Sequence, residues 1–471
     1  MNVRRVGALG LVLVVITSWI TGMAGPAAAT TAPTPTTLRA AGAVRGLYLG
    51  SAVNYPALST DAEYGTTLAR EFSQVSPENE LKWDTIHPTP TTYDFTRGDY
   101  IVNWAMKNKL VVHGHTLLWH SQNPAWLVNT AYDRVQSLAI LHDHINTVVG
   151  HFRGRITAWD VANEIMGDDG TLRKNIWYQR IGPDYIDYAF QWAHEADPAV
   201  RLYLNDYGNQ GRGKKSDAIY NLVADMKRRG IPIDGVGIQA HIGTYLAGST
   251  AAMNDITFNM ARLNALGLET PITEMDVALP LPSTPASLQL QATGYSGVMA
   301  ACLAASNCSS FTTWGFTDKY SWIPGFEPGF GDALPMDAAF QPKPAYTALL
   351  AKLNASPGVV PSIRAANVPA AEGNAGPTVV NVPITLSVPT TKAVTVRYST
   401  LNKAATTANG DYVATSGIVA FAPGETSKTV PITINGDTTV EPDQQFFVVI
   451  SYATNATIGW AYGGVVILND D

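Results

Sequence analysis

The sequence predicts an α/β fold, a (β/α)8 TIM barrel followed by a small all-β sandwich domain. Two observations predict it. Between residues 45 and 320, short apolar segments alternate with helix-like stretches, and after about residue 353 only strand-like runs separated by Gly, Asn, Asp and Pro follow. Alternating strand and helix is typical of a parallel sheet, and eight such units fit a closed barrel. Short strands alone fit a sandwich.

Eight apolar segments provide the expected barrel strands. Helix-like stretches such as Tyr185–Ala196 and Ser216–Arg229 lie between them. An open doubly wound sheet is the alternative, but no GxGxxG turn follows the first segment. The predicted strands are Tyr48–Ser51, Phe72–Val75, Val111–Leu118, Thr157–Val161, Arg201–Leu204, Gly235–Gln239, Pro271–Thr273 and Phe311–Trp314.

The chain divides into four predicted segments. Residues 1–29 are expected to be a signal peptide, 30–353 the barrel domain, 354–362 a Pro-containing linker and 363–471 the sandwich domain. The expected sandwich strands are Val394–Tyr398, Ile418–Phe421, Val430–Ile434, Phe446–Ile450 and Val465–Leu468.

The N-terminus predicts export. Arg4 and Arg5 precede an apolar run, Val6–Ile20, and the alanines at 27–29 suit a signal peptidase. The run is short for a membrane anchor, which is the weaker alternative. We therefore expect a secreted, extracellular protein without membrane attachment after signal cleavage. In such a protein the only two cysteines, Cys302 and Cys308, are expected to form a disulfide.

Composition excludes several classes of protein. Hydrophobic residues make up 46% of the chain and charged residues 15%, which disfavours disorder and coiled coil. The net charge of −7, without basic runs, makes nucleic acid an unsuitable partner.

Polar and aromatic side chains follow the predicted barrel strands. In a parallel barrel the carboxyl ends of all strands meet at one face, where active sites are built. The residues are Glu78, Asn79 and Lys82, then His113, His115, Trp119 and His120, then Asn163 and Glu164, then Asn205, Asp206 and Tyr207, then Gln239 and His241, then Glu274 and Asp276, and finally Trp314. A metal cluster at the three early histidines is a weaker reading, because Glu and Asn surround them without a soft ligand.

Glu164 and Glu274 are the candidate catalytic pair. They follow the fourth and seventh predicted strands, so they can face each other across the barrel mouth. Glycoside hydrolysis needs two such carboxyl groups, one to donate a proton to the leaving oxygen and one to attack or to direct water. The alternative is that each glutamate makes only a surface ion pair.

Six segments in order carry a resemblance to glycoside hydrolase family 10, whose best-known members are endo-1,4-β-xylanases. The resemblance covers about residues 40–353. The segments are Ser76–Trp83, Gly114–His120, Trp159–Glu164, Gly237–His241, Ile272–Asp276 and the tryptophans Trp314 and Trp322.

The resemblance implies hydrolysis of internal β-1,4 bonds of xylan with retention of configuration and without a cofactor. Glu164 is then the general acid/base and Glu274 the nucleophile, supported by Asn163, His241 and Asp276. The implied substrate-binding residues are Glu78, Asn79, Lys82, His115, Trp119, Gln122, Tyr207, Gln239, Trp314 and Trp322. Tyr207 fits a platform on the leaving-group side, whereas Trp322 fits the non-reducing side.

The tail resembles a Calx-β domain across nearly all of residues 363–471. In calcium-binding members, acids at the loop ends supply the oxygen ligands that a hard cation prefers. The corresponding acids are Glu372, Asp411, Asp437, Glu441, Asp470 and Asp471. Asn435 and Gly436 stand where some relatives have further acids, so calcium binding is left open.

The expected partner is xylan polysaccharide, and the expected state is a monomer. Two alternatives stay open at this point. The enzyme could prefer β-1,4-glucan, because sequence does not show how much room a hydroxymethyl group has. A binding or adhesion protein with a relic barrel is the other alternative, but it would be expected to lack one of the two glutamates.

Overall fold

The barrel has the predicted eight parallel strands. The computed structural model describes residues 34–355, 361–387, 390 and 393–470, so the predicted signal peptide and part of the predicted linker lie outside the described residues. The eight barrel strands are β1 (Tyr48–Val53), β2 (Gln74–Pro77), β3 (Val111–His115), β4 (Ala158–Asn163), β5 (Arg201–Asp206), β6 (Gly235–Ile238), β8 (Ile272–Pro280) and β9 (Ser310–Thr313). Two shorter strands of the same region are β7 (His241–Gly243) and β10 (Phe330–Gly331).

Strand pairing closes the sheet into a ring. Parallel pairs run in order from β1 through β6 and on to β8. The ring closes because β9 pairs with both β8 and β1, with Ile272 opposite Phe311 and Tyr48 opposite Ser310. The short strand β7 lies outside this path and pairs with the far end of β8, where His241 is opposite Asp276.

Helices follow the strands, as expected for a parallel barrel. Both helices named from the sequence are present, the first with the predicted bounds. The helices are α1 (Leu38–Arg45), α2 (Tyr55–Thr60), α3 (Ala62–Glu71), α4 (Trp83–Ile86), α5 (Thr96–Lys107), α6 (Ala125–Asn129), α7 (Arg134–His151), α8 (Ile176–Ile181), α9 (Tyr185–Ala196), α10 (Lys214–Arg228), α11 (Thr244–Ala247), α12 (Thr250–Asn264), α13 (Pro285–Ala304), α14 (Ile323–Phe326) and α15 (Pro344–Asn354). In the described part of the chain, none is long and apolar enough to cross a membrane.

Local sequence explains where the long helices begin. Asp133 caps α7 and forms a capping box with Gln136, and Thr284 does the same for α13 with Ser287. At the other end of α13, Cys302 forms the predicted disulfide with Cys308, just before β9.

The C-terminal region consists of two β-sheets. One has the strand order β16-β13-β11-β18 and the other β12-β19-β17-β14-β15. Their apolar sides form a core that includes Val396, Phe421, Ile432 and Phe446. The strands are β11 (Ser362–Ala365), β12 (Val368–Ala371), β13 (Gly376–Leu386), β14 (Val394–Leu401), β15 (Ser416–Phe421), β16 (Ser427–Gly436), β17 (Gln444–Thr454), β18 (Thr457–Trp460) and β19 (Tyr462–Leu468).

Candidate active site

A cleft of about 680 Å³ opens at the carboxyl ends of the barrel strands. All the residues predicted to take part in catalysis or substrate binding line it except Asp276, which is buried behind His241. His113, Asn205 and Asp206, which also follow predicted strands, are buried and do not line it. The lining residues are Glu78, Asn79, Lys82, His115, Trp119, His120, Ser121, Gln122, Asn163, Glu164, Arg173, Tyr207, Gln239, His241, Glu274, Trp314, Trp322 and Phe326.

Glu164 lies directly after β4 in the left-handed region, with φ +52°. Few residues other than glycine adopt this conformation, and it is maintained only when the surroundings over-determine it. Its backbone N–H donates to the carbonyl of Asn205 (2.8 Å). Its carboxylate accepts from Nε1 of Trp119 (2.9 Å) and Nε2 of Gln239 (3.3 Å). The carboxylate is therefore oriented into the cleft by an indole and an amide.

Glu274 lies in β8 and is 4% exposed. Asn205 Nδ2 donates to its Oε1 at 2.6 Å, and His241 Nε2 donates to its Oε2 at 3.3 Å. Asn205 Nδ2 also donates to Asn163 Oδ1 (3.1 Å), which in turn accepts from Gln239 (3.1 Å). A chain of amides thus connects the two glutamates across the barrel mouth.

His241 is placed between two carboxylates. Its Nδ1 is 2.9 Å from Asp276 Oδ2, and Trp322 Nε1 donates to the same oxygen at 2.9 Å. Burial alone would lower the pKa of His241, but Asp276 and Glu274 outweigh it and raise the pKa to about 10. His241 is therefore cationic at neutral pH and places its positive charge next to the Glu274 carboxylate.

Asp160 accepts hydrogen bonds from two buried histidines. His113 Nε2 and His115 Nδ1 each lie 2.8 Å from its carboxylate oxygens. Burial would raise the pKa of Asp160, yet the imidazoles hold it at about 2. His115, Asp160 and Glu274 are also the three potential metal ligands that come within 4.8 Å of one another in the described chain. Hydrogen bonds to Asp160 account for the position of both imidazoles.

The part of the cleft that contains Glu78, Asn79 and Lys82 is polar. Lys82 Nζ donates to Asn79 (3.0 Å) and Gln122 (2.7 Å), and its ammonium lies 4.8 Å from the ring centroid of Trp119. Burial lowers the pKa of Lys82 and raises that of Glu78, although each charge partly offsets the effect on the other. These groups offer donors and acceptors suited to sugar hydroxyls.

Several aromatic rings line the cleft. Trp314 contacts His115 edge to face at 5.0 Å between ring centroids. Trp322 contacts Phe326 at 4.7 Å, and the latter ring is mostly exposed. Tyr207 also lines the cleft, and its hydroxyl accepts from Arg173 at 3.2 Å.

Sequence reasoning gave no role to several residues of this network. These residues are Asp160, Asn205 and Arg173, and each makes hydrogen bonds to two residues that the sequence did single out. The available signal was an acid in the middle of β4 and an Asn-Asp-Tyr run at the end of β5. Both runs place polar groups on strands that are buried along almost their whole length.

Three of the acids predicted to bind calcium accept hydrogen bonds from backbone N–H groups. Asp411 accepts from the backbone of Thr406, Asp437 from Thr439 and Asp470 from Gly373. Among the described residues, no three of the predicted acids bring ligand atoms within 4.8 Å of one another. Asp471 lies outside the described residues.

Comparison with known proteins adds independent support. Residues 37–352 match the family model "Glycosyl hydrolase family 10", and residues 367–471 match "Calx-beta domain". Endo-1,4-beta-xylanase B of Thermotoga neapolitana is 44% identical over 299 residues, which cover 63% of this chain and 85% of that protein. Endo-1,4-beta-xylanase D of Talaromyces funiculosus is 40% identical over 313 residues, which cover 66% of this chain and 76% of that protein.

Solved structures agree. Xylanase 10B of Thermotoga maritima superposes with a TM-score of 0.66 at 42% identity and covers 68% of this chain and 98% of its own. Xylanase 10B of Thermotoga petrophila, solved with xylobiose, superposes with a TM-score of 0.66 at 41% identity. This match covers 69% of this chain and 99% of that chain. The closed barrel, its cleft and these matches lead to one conclusion: the chain belongs to glycosyl hydrolase family 10.

Proposed function

We propose that this chain is a secreted endo-1,4-β-xylanase that hydrolyses internal bonds of xylan with retention of configuration. The observation that carries the proposal is the pair Glu164 and Glu274, which face one cleft and are connected through Asn163, Asn205 and Gln239. The similar proteins named above are endo-1,4-β-xylanases, and one was solved with xylobiose. No cofactor is needed for two-carboxylate chemistry.

The reaction proceeds in two displacements. Glu274 attacks the anomeric carbon while Glu164 gives its proton to the glycosidic oxygen, so the bond to the leaving sugar breaks as the glycosyl–enzyme ester forms. Glu164, now ionised, then takes a proton from water, which attacks the same carbon and releases Glu274. His241 and Asn205 hydrogen-bond Glu274 and hold it in place for attack.

The test is the anomeric form of the first products. Proton NMR of xylohexaose hydrolysis is expected to show the β-anomer first, with the α-anomer appearing later by mutarotation. Early α-anomer would contradict retention, and no new reducing ends would contradict the activity itself. A faster initial rate on carboxymethylcellulose than on xylan would overturn the choice of substrate.

The remaining proposals concern export, assembly and calcium. Cleavage after Ala29 predicts a mature N-terminus at Thr30, which N-terminal sequencing of protein from the culture medium tests. Gel filtration tests the proposed monomer. If the sandwich domain binds calcium through Glu372, Glu441 and their neighbours, its thermal midpoint will rise when calcium replaces a chelator.

A further inference from the structure

A buried lysine lies against one face of the Tyr207 ring. Lys215, in the first turn of α10, is 5% exposed, and its Nζ is 3.3 Å from the ring centroid. The dipole of a helix disfavours a cation near its N-terminus, and burial disfavours the charge itself. Lys215 therefore occupies a position that is costly unless its surroundings compensate for the charge.

The compensation comes mainly from Asp206. This carboxylate is fully buried and lies 2.9 Å from Lys215 Nζ, while Asp168 is 3.2 Å away at the surface. Asp206 also accepts the backbone N–H of Tyr207 (2.9 Å) and that of Met166 (3.2 Å). Burial raises the pKa of Asp206 to about 7, and Lys215 limits that rise. Asp206 thus connects Tyr207 to the segment that follows Glu164.

Arg173 makes a second connection between the same two residues. Its Nε donates to the backbone carbonyl of Glu164 (3.0 Å), and its Nη2 donates to the Tyr207 hydroxyl (3.2 Å). Tyr207 is therefore held at three points. Arg173 contacts its hydroxyl, Asp206 its backbone N–H and Lys215 one face of its ring. Arg173 thus connects Tyr207 directly to the backbone of Glu164, which lies in the left-handed region.

We propose that Lys215, paired with Asp206, is a positioning residue that holds Tyr207 and the Glu164 segment for substrates with a sugar on the leaving-group side. This inference rests on the proposed function, because it assigns the leaving-group sugar to Tyr207. Lys215 itself does not line the cleft and acts through Tyr207.

The test compares two substrates. Xylotetraose places sugars on the leaving-group side, whereas β-xylobiosyl fluoride has a single-atom leaving group that needs neither a platform nor a proton. Lys215→Met is expected to lower kcat/KM for xylotetraose by about tenfold or more, chiefly through KM. The same variant is expected to leave kcat/KM for the fluoride unchanged. Equal losses on both substrates, or no loss on either, would overturn the proposal.

Matched variants separate positioning from folding. Lys214→Met changes the neighbouring exposed lysine and is expected to affect neither substrate. In a Tyr207→Ala background, Lys215→Met is expected to add no further loss on xylotetraose, and an additive loss would contradict action through the ring. If Lys215→Met does not fold, Asp206→Asn carries the same two-substrate test. A wild-type protein inactive on both substrates would instead contradict the proposed function.

Discussion

The two cleft glutamates differ in their hydrogen-bonding partners. Glu274 is held by the Asn205 amide and by His241, whose pKa is raised to about 10. Glu164 receives one indole N–H and one amide N–H. The cationic His241 lies next to Glu274, whereas Glu164 lies closer to solvent, with a side chain 15% exposed against 5% for Glu274.

Replacing the acid/base tests this division of roles. Glu164→Gln is expected to lower turnover of xylan by about 10²–10⁴-fold, because general-acid help is lost. Dinitrophenyl xylobioside, whose leaving group departs without a proton, is expected to lose much less in its first displacement. Pre-steady-state burst kinetics on the aryl substrate measure that step. Glu63→Gln, an exposed change on α3, is the matched control.

Motif residues were predictable one by one, but their connections were not. The order of the motifs placed Asn163, Glu164 and Glu274 in one cleft, because strand ends converge in a barrel. Asn205 hydrogen-bonds Asn163 because β5 lies next to β4, with the two residues opposite in register. It also reaches Glu274 on β8, which is separated from β5 by β6. Such contacts between neighbouring strands depend on register, which a sequence pattern does not specify to the residue.

At the scale of elements, apolar runs located the barrel strands but not their full length. The seventh predicted strand was Pro271–Thr273, whereas β8 continues to Pro280. Beyond the barrel, β8 pairs with β7 and β10, which places Asp276 opposite His241. These added pairings are tertiary, so the local pattern could not reveal them.

In the sandwich, the sequence pattern predicted only some of the strands. The five strands predicted for it are present and longer than expected, but β11, β12, β13 and β18 had no clear signal. β13 contains Pro377 and Pro383, which usually argue against a strand. Both prolines lie in the part of β13 that pairs only with β16, because the pairing with β11 begins at Ile384. Proline is tolerated where one side of a strand has no neighbouring strand.

The disulfide at the end of α13 gives an element-scale prediction. Cys302 and Cys308 close a short loop between α13 and β9. Replacing both by serine is expected to lower the free energy of unfolding by about 2 kcal/mol, because the unfolded chain regains the entropy of that loop. Urea unfolding measures the change. Xylan turnover is expected to be unaffected, since neither cysteine lines the cleft.

Helix α7 supplies a prediction about acid stability. His144 is buried and stacks on Trp83 at 3.5 Å, with its Nδ1 3.3 Å from Nδ1 of His87. Burial lowers the pKa of His144 well below its ordinary value of 6.5, and His87 adds to the effect. The unfolded chain therefore binds more protons below pH 6.5, so stability falls as the pH falls.

Replacing His144 is expected to reduce the dependence of the free energy of unfolding on pH below pH 6.5. Between pH 6.5 and pH 5, His144 contributes a loss of up to about 2 kcal/mol in the free energy of unfolding, which His144→Phe abolishes while keeping an aromatic ring. Denaturant unfolding at several pH values measures the slope. The exposed His194→Gln on α9 is the control, and an unchanged slope in His144→Phe would contradict the interpretation.

At the scale of the whole molecule, the barrel and the sandwich have separate hydrophobic cores. Among the residues that the structure describes, the barrel core runs from Leu38 to Leu353 and the sandwich core from Ile363 to Ile467, and the two share no residue. The ends of the barrel domain are tied to each other: Arg45 Nε donates to the carbonyl of Leu353 and Asn354 Nδ2 to that of Pro35, both at 2.7 Å. Each hydrophobic core is thus formed by residues from one continuous segment of the chain.

Truncation after residue 355 tests whether the barrel works alone. It keeps α15 and both terminal hydrogen bonds, and every cleft residue lies between Glu78 and Phe326. We therefore expect kcat/KM on soluble xylan and the barrel's thermal midpoint to match those of the full chain. A collapse of activity in a folded truncated protein would mean that the sandwich supports the cleft, and the two cores would then have to be treated as one cooperative unit.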